Sequence, residues 1–213
     1  MKDLFIVAII GYCFGNIQTS YWLAKIVKKV DIRTLGKGNA GASNTFESLG
    51  WKYGVFVAFV DVLKGLLSIL LIKTLYQVGL NPQGAFLLYL NGYCVILGHI
   101  FPFYMNFKGG KGTASLIGLM MGLNVWFGLA GIAVMVVVTL ATQYVAVGTA
   151  VLVTFVVVVT VWMGWGAGAI TLSLMGAALS LYLHLPNYRR IAKGEESKLF
   201  AVLKKKTIKG ENQ

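Results

Sequence analysis

The sequence predicts an all-α polytopic membrane protein with seven transmembrane helices, its N-terminus outside and its C-terminus cytoplasmic. Three observations carry this. The 213 residues are 57% hydrophobic and only 12% charged, about half the charge of a soluble domain, and the mean hydropathy is +0.75. Apolar stretches near the roughly 20 residues that cross a hydrocarbon core recur along the whole chain. Most of the Lys and Arg residues gather in three segments, and basic residues beside spans mark the cytoplasmic side.

The first apolar run, Leu4 to about Ala24, lacks a basic leading region and a small-residue cleavage site. It therefore reads as a span rather than a leader. Residues 25–52 follow with Lys25, Lys28, Lys29, Arg33, Lys37 and Lys52, so this loop faces the cytoplasm. The second span covers about 53–75. QVGLNPQG, 76–83, is uncharged and turn-forming and suits the outside. The third span covers about 84–104, and Lys108 and Lys111 return the chain to the cytoplasm.

Residues 112–188 contain no Lys, Arg, Asp or Glu. This stretch starts and ends inside, so it crosses an even number of times. Two helices cannot use its 77 residues, because a rise of roughly 1.5 Å per residue would far overrun a core of about 30 Å. Breaks at GLN (122–124), ATQ (141–143) and MGWGAG (163–168) divide it into four segments, the first short and partly spanning. The β-branched run VAVGTAVLVTFVVVVTVW is helical here, because a lone strand in lipid leaves its backbone unsatisfied. The tail brings Arg189, Arg190, Lys193, Lys198, Lys204, Lys205, Lys206 and Lys209, again cytoplasmic and facing lipid head groups. Residues 1–213 form one domain, with motif loops at about 25–52, 105–112 and 184–213. Cys13 and Cys94 read as small buried hydrophobes, and Trp51, Tyr53, Trp162 and Trp165 as interfacial belts. The net charge of +12 belongs to loops against a membrane surface. Nucleic-acid binding is excluded, since no soluble basic domain carries it.

The polar motifs all fall on the cytoplasmic side. DIRTLGKGNAGASN, 31–44, sets Gly36, Gly38 and Gly41 among Lys37, Asn39, Ser43 and Asn44. Such turns expose successive N–H groups and bind anions. FKGGKG, 107–112, carries Lys108 and Lys111 among Gly109, Gly110 and Gly112, just after GHIFPF with His99 and Pro102. It is not a Walker A loop: Gly112 follows Lys111 where Ser or Thr is needed, and position 105 is Met. HLPNYRRIAKGEE, 184–196, adds His184, Asn187 and Arg190. Three glycine-plus-cation segments on one face point to a shared, phosphate-bearing ligand. Within the second span, Asp61 and Lys64 sit three apart on one helical face and pair, with Lys64 also within reach of the anion site.

GKGNAGASN, DVLKG, GHIFPFYMNFKGGKG and HLPNYRRIAKGEE, in that order over nearly the whole chain, resemble the motifs of the bacterial acyl-phosphate:glycerol-3-phosphate acyltransferases. The resemblance implies a seven-helix enzyme of the bacterial inner membrane, with its active site on the cytoplasmic side. It implies transfer of a fatty acyl group from acyl phosphate to the 1-hydroxyl of glycerol 3-phosphate, giving lysophosphatidic acid and phosphate in phospholipid synthesis. No cofactor, metal, acyl-CoA or obligate protein partner is implied; the partners are the two substrates and membrane lipids. Carried over residue by residue, Lys111, His184 and Asn187 are catalytic. Substrate binding falls to Lys37, Gly38, Asn39, Gly41, Ser43, Asn44, His99, Gly109, Gly110, Gly112 and Arg190. The residue chemistry agrees. Phosphate is already a good leaving group, so the enzyme needs only to gather two anions and place a hydroxyl at the carbonyl. No Ser–His–Asp set is apparent, which suits direct transfer.

Three positions and one loop depart from the family pattern. Lys37 stands for a serine, Glu47 for an arginine and Asn16 for a serine, and ATQYVAVG (141–148) lacks the usual Lys-Arg and Ser. Glu47 beside bound phosphate would be repelled by roughly 4 kcal/mol at 4 Å, and Lys37 is the cation placed to compensate. A divergent paralogue with an altered acceptor or lost activity is therefore the alternative. A transporter is disfavoured, because Asp61 and Lys64 are the only charges deep in a span.

Overall fold

In the computed structural model the described residues, 2–202, are all helical with connecting turns. Lys204, Lys205, Lys206 and Lys209 lie outside the described residues. The helices are α1 (Lys2–Gly15), α2 (Thr19–Lys28), α3 (Ala42–Ser48), α4 (Trp51–Tyr76), α5 (Pro82–Ile100), α6 (Thr113–Leu123), α7 (Val125–Thr142), α8 (Val145–Trp162) and α9 (Ala167–Ala192). Among the described residues six helical segments are long and apolar enough to cross a membrane: Lys2–Lys28, Trp51–Tyr76, Pro82–Met105, Val125–Thr142, Val145–Trp162 and Ala167–Ala192. The 11-residue α6 is apolar but short; at 1.5 Å per residue it rises about half of a hydrocarbon core.

The expected breaks are where the chain turns. Asn124 ends α6 and caps α7, its Oδ1 accepting from the N–H of Trp126 and Phe127. Gln143 takes the left-handed conformation at the end of α7, and Gly164 and Gly166 both have positive φ between α8 and α9. The first span is different from expectation. One helix over 4–24 was predicted, but α1 stops at Gly15 and α2 starts at Thr19. Asn16 opens this gap: its Nδ2 donates to the Tyr12 carbonyl at 2.7 Å, and its Oδ1 accepts from the N–H of Phe103 at 3.1 Å. The released carbonyl of Ile17 points inward, to Lys64.

Small residues let the helices close on one another. α4 crosses α6 at Gly65 and Gly118: a Cβ on Gly65 would lie 2.7 Å from the Ser115 carbonyl oxygen. The core gathers Leu88, Tyr89, Leu119, Met120 and Leu152 around α5 and α6, all fully buried. Trp165 belongs to this core rather than to an interfacial belt. It is 4% exposed, with its ring 5.6 Å from Phe127 and 6.0 Å from Tyr89. Trp51 and Trp162 do face outward, and so does Cys13.

Candidate active site

The first loop is built around two polar side chains. Arg33 grips Asp31 through Nε and Nη2, at 3.0 and 2.6 Å, and its Nη1 donates to the Met105 carbonyl at 2.6 Å, tying this loop to the second. Asn44 Nδ2 donates to the carbonyls of Ile32, Leu35 and Asn39, while its Oδ1 accepts from the Lys37 N–H. One buried amide therefore folds four backbone groups around itself. The second loop turns back on the end of α5: Gly109 N–H donates to the Ile100 carbonyl and Gly110 N–H to that of His99. Ala40 N–H then donates to the Gly109 carbonyl at 3.1 Å, so the two glycine loops are joined edge to edge.

Between these loops and α9 lies a cavity of about 220 Å³. Asn39, Gly41, Ser43, His99, Lys111, Gly112, His184 and Asn187 all line it, as do Asp61 and Glu196. All three motif segments therefore meet at one space. A second cavity of about 190 Å³ shares Ile117 and Met135 with the first. It is lined by those two with Ile132, Val136, Thr139, Leu140 and Leu199.

Glu196 organises the outer wall. Its Oε1 accepts from Lys37 Nζ at 2.8 Å and Asn187 Nδ2 at 2.8 Å, and its Oε2 from Arg190 Nε at 2.6 Å. Burial works to raise this carboxyl, but hydrogen bonds from Lys37, Arg190 and Asn187 win and hold it below the ordinary glutamate range. Asn187 passes the linkage on, because its Oδ1 accepts from Lys111 Nζ. Burial, then the neighbouring Arg190, outweighs attraction to Glu196 and brings Lys111 down to about 8. An ammonium so placed gains most from a second anion arriving in the cavity.

The two histidines offer different nitrogens. His184 Nδ1 lies 2.8 Å from the Ser180 carbonyl, which only accepts, so Nδ1 carries the proton and Nε2 holds a lone pair. His99 Nδ1 lies 2.8 Å from Lys64 Nζ, beneath the cavity. Lys64 also pairs with Asp61 at 2.7 Å and donates to the Ile17 carbonyl at 2.8 Å.

A glycerol-3-phosphate acyltransferase family model matches residues 5–194. The chain belongs to this family. Glycerol-3-phosphate acyltransferase 1 of Oceanobacillus iheyensis is 39% identical over 204 residues, 94% of this chain and 97% of that one. The glycerol-3-phosphate acyltransferase of Thermoanaerobacter pseudethanolicus is 38% identical over 90% of this chain and 93% of its own. The crystal structure of PlsY, an integral membrane glycerol 3-phosphate acyltransferase, in its glycerol 3-phosphate form, superposes with a TM-score of 0.82 at 29% identity, over 92% of this chain and 94% of that one. Its lysophosphatidic acid form gives 0.80 at 28% identity, over 94% and 98%.

In this glycerol-3-phosphate acyltransferase family member the residues expected in the site fall into two ranks. Lys111, His184, Asn187, Asn39, Gly41, Ser43, His99 and Gly112 face the cavity. Lys37, Gly38, Asn44, Gly109, Gly110 and Arg190 are absent from its lining and stand behind it as hydrogen-bonding or turn-forming supports. The expected repulsion from Glu47 is met inside the protein: Lys37 Nζ binds Glu47 Oε1 at 2.8 Å as well as Glu196. Sequence reasoning matched Glu196 to the third motif but gave it no role in the site. Its signal was an acidic pair, Glu195 and Glu196, set among cations. Nor did it give Lys64 a histidine as partner, for α4 and α5 supply these residues from 35 positions apart.

Proposed function

We propose that this protein transfers a fatty acyl group from acyl phosphate to the 1-hydroxyl of glycerol 3-phosphate, releasing lysophosphatidic acid and inorganic phosphate. The observation that carries the reading is the convergence of three glycine-and-cation segments on one cavity holding Lys111, His184 and Asn187. Lys111 and the loop N–H groups hold the phosphates. The acceptor hydroxyl donates to the His184 Nε2 lone pair, and its oxygen attacks the acyl carbonyl carbon. The carbonyl–phosphate C–O bond breaks, and the departing phosphate takes up the hydroxyl proton. Asn187 keeps Lys111 aimed at the ligand, and Ser43, Asn39 and the Gly41–Gly112 backbone add donors. The apolar cavity beside the site takes the start of the acyl chain. We place the protein in the bacterial inner membrane with seven crossings, α6 being the short one, the N-terminus outside and the site cytoplasmic. The basic loops flanking α2, α6 and α9 support that orientation.

Purified protein given palmitoyl phosphate and glycerol 3-phosphate tests this. Phosphate release that needs the acceptor and vanishes in Lys111→Ala supports it. No turnover by demonstrably folded protein refutes it. One observation favours a second reading, a different phosphorylated acceptor: Lys37 is committed to two carboxylates, so it brings no free charge where the family pattern has an arginine nearby. Turnover with another phosphorylated alcohol, and none with glycerol 3-phosphate, selects that reading.

A further inference from the structure

Lys64 is 2% exposed, in the middle of an apolar helix, where an ammonium needs every proton placed. Its close neighbours are Asp61 at 2.7 Å, the Ile17 carbonyl at 2.8 Å and His99 Nδ1 at 2.8 Å, with the Gly15 carbonyl farther off at 3.4 Å. An ammonium has no lone pair, so at 2.8 Å it is His99 Nδ1 that accepts; the Asp61 carboxylate, the other group facing Nδ1, is farther away at 3.5 Å. A charged imidazole would set its own N–H against that ammonium. His99 is therefore neutral with its proton on Nε2. The Nε2 edge lies against Gly110, whose Cβ position it occupies, one residue before Lys111, and His99 lines the cavity.

We propose that Lys64 is a positioning residue that locks the His99 tautomer, so that His99 offers the bound anion a hydrogen-bond donor and cannot serve as a base. Asp61 anchors the lock by holding the ammonium in place. His184 is fixed the other way by the Ser180 carbonyl, so one cavity holds one donor imidazole and one acceptor imidazole. The assignment of His99 as donor rests on the phosphate-binding function proposed above, but the tautomer itself does not.

His99 and His184 are the chain's two histidines, which makes the test direct. Ring-15N-labelled protein in detergent is examined by long-range proton–nitrogen correlation, with His184→Gln assigning the signals. The expected result is a bare Nδ1 and a protonated Nε2 at His99; a protonated Nδ1 there overturns the lock. Lys64→Met should lose this pattern, and kcat/KM should fall about 10–100-fold. Because Lys64→Met leaves Asp61 unpaired, Asp61→Leu with Lys64→Met serves as the charge-free variant, and it should lose the pattern too; retention in both overturns the proposal. His99→Gln keeps a donor where Nε2 was and should retain at least about tenfold more kcat/KM than His99→Leu. Equal loss in the two overturns the donor role. Absence of turnover in wild type defeats the function reading alone, since the spectrum still reports the tautomer.

Discussion

Lys111→Met removes the ammonium from the cavity wall and keeps most of the side-chain length. In the free protein that ammonium is disfavoured: burial, then Arg190, brings its pKa from 10.5 to about 8. The fall corresponds to roughly 3 kcal/mol, and solvent at the cavity mouth screens it to about 1–2 kcal/mol. Folding disfavours the charged form, so this destabilisation is complete below the folded pKa near 8. It fades as pH rises toward the unfolded value of 10.5. The hydrogen bond to Asn187 is lost in the variant at every pH, so it adds a constant offset. Relative to wild type, the variant should therefore gain about 2–6 °C more in unfolding midpoint near pH 7 than near pH 10.5. Tryptophan fluorescence during heating in detergent reads this. A midpoint difference that is flat with pH, or that grows with it, refutes the electrostatic account. The same change should lower kcat/KM about 10²–10³-fold, by removing the cation aimed at the substrate phosphate.

Glu196→Gln keeps one accepting oxygen but removes the carboxylate charge that Lys37 and Arg190 share and one of its two acceptors, and should cost about 1–3 kcal/mol in stability, read as a lower unfolding midpoint. Gly110→Ala drives a methyl into the His99 ring and should lower kcat/KM more than about tenfold; unchanged kinetics would show that the loop yields freely. Val136→Trp narrows the apolar cavity that takes the start of the acyl chain, so kcat/KM should fall about fivefold or more for palmitoyl and octanoyl phosphate alike, and unchanged kinetics would place the acyl chain elsewhere. Lys37→Ser with Glu47→Arg should match or exceed wild type with glycerol 3-phosphate; a double variant no better than the worse single one ends the idea that this pair replaces the family's cation.

Much of the fold was legible because lipid removes alternatives. With strands excluded, helices are what remains, and the breaks at Asn124, Gln143 and Gly164–Gly166 were visible as polar or glycine interruptions. The break at Asn16 was not, because a single Asn in an apolar run usually stays helical. Its effect depends on the distant Phe103 N–H. In the candidate site, the cavity-lining loops stood out as glycine with lysine. Their supports did not. Asn44 looks in the sequence like a ligand donor, but its amide is wholly used by its own loop. Glu47 looked like a charge left facing phosphate because its partner, Lys37, is ten residues away and joins it only once the loop has folded.

The interruption between α1 and α2 also bears on how the chain is made. A helix bearing Asp61 and Lys64 enters the bilayer at a disadvantage of about 2.5–3.5 kcal/mol per charge. Two of the groups that hold Lys64, Asp61 and the Ile17 carbonyl, lie N-terminal to it and have left the ribosome before it does. His99 comes later, on α5. The ammonium can be sheltered during insertion by what has already been synthesised, and His99 reaches it only when α5 arrives. Assembly order is thus written into which backbone carbonyl the first helix leaves unpaired.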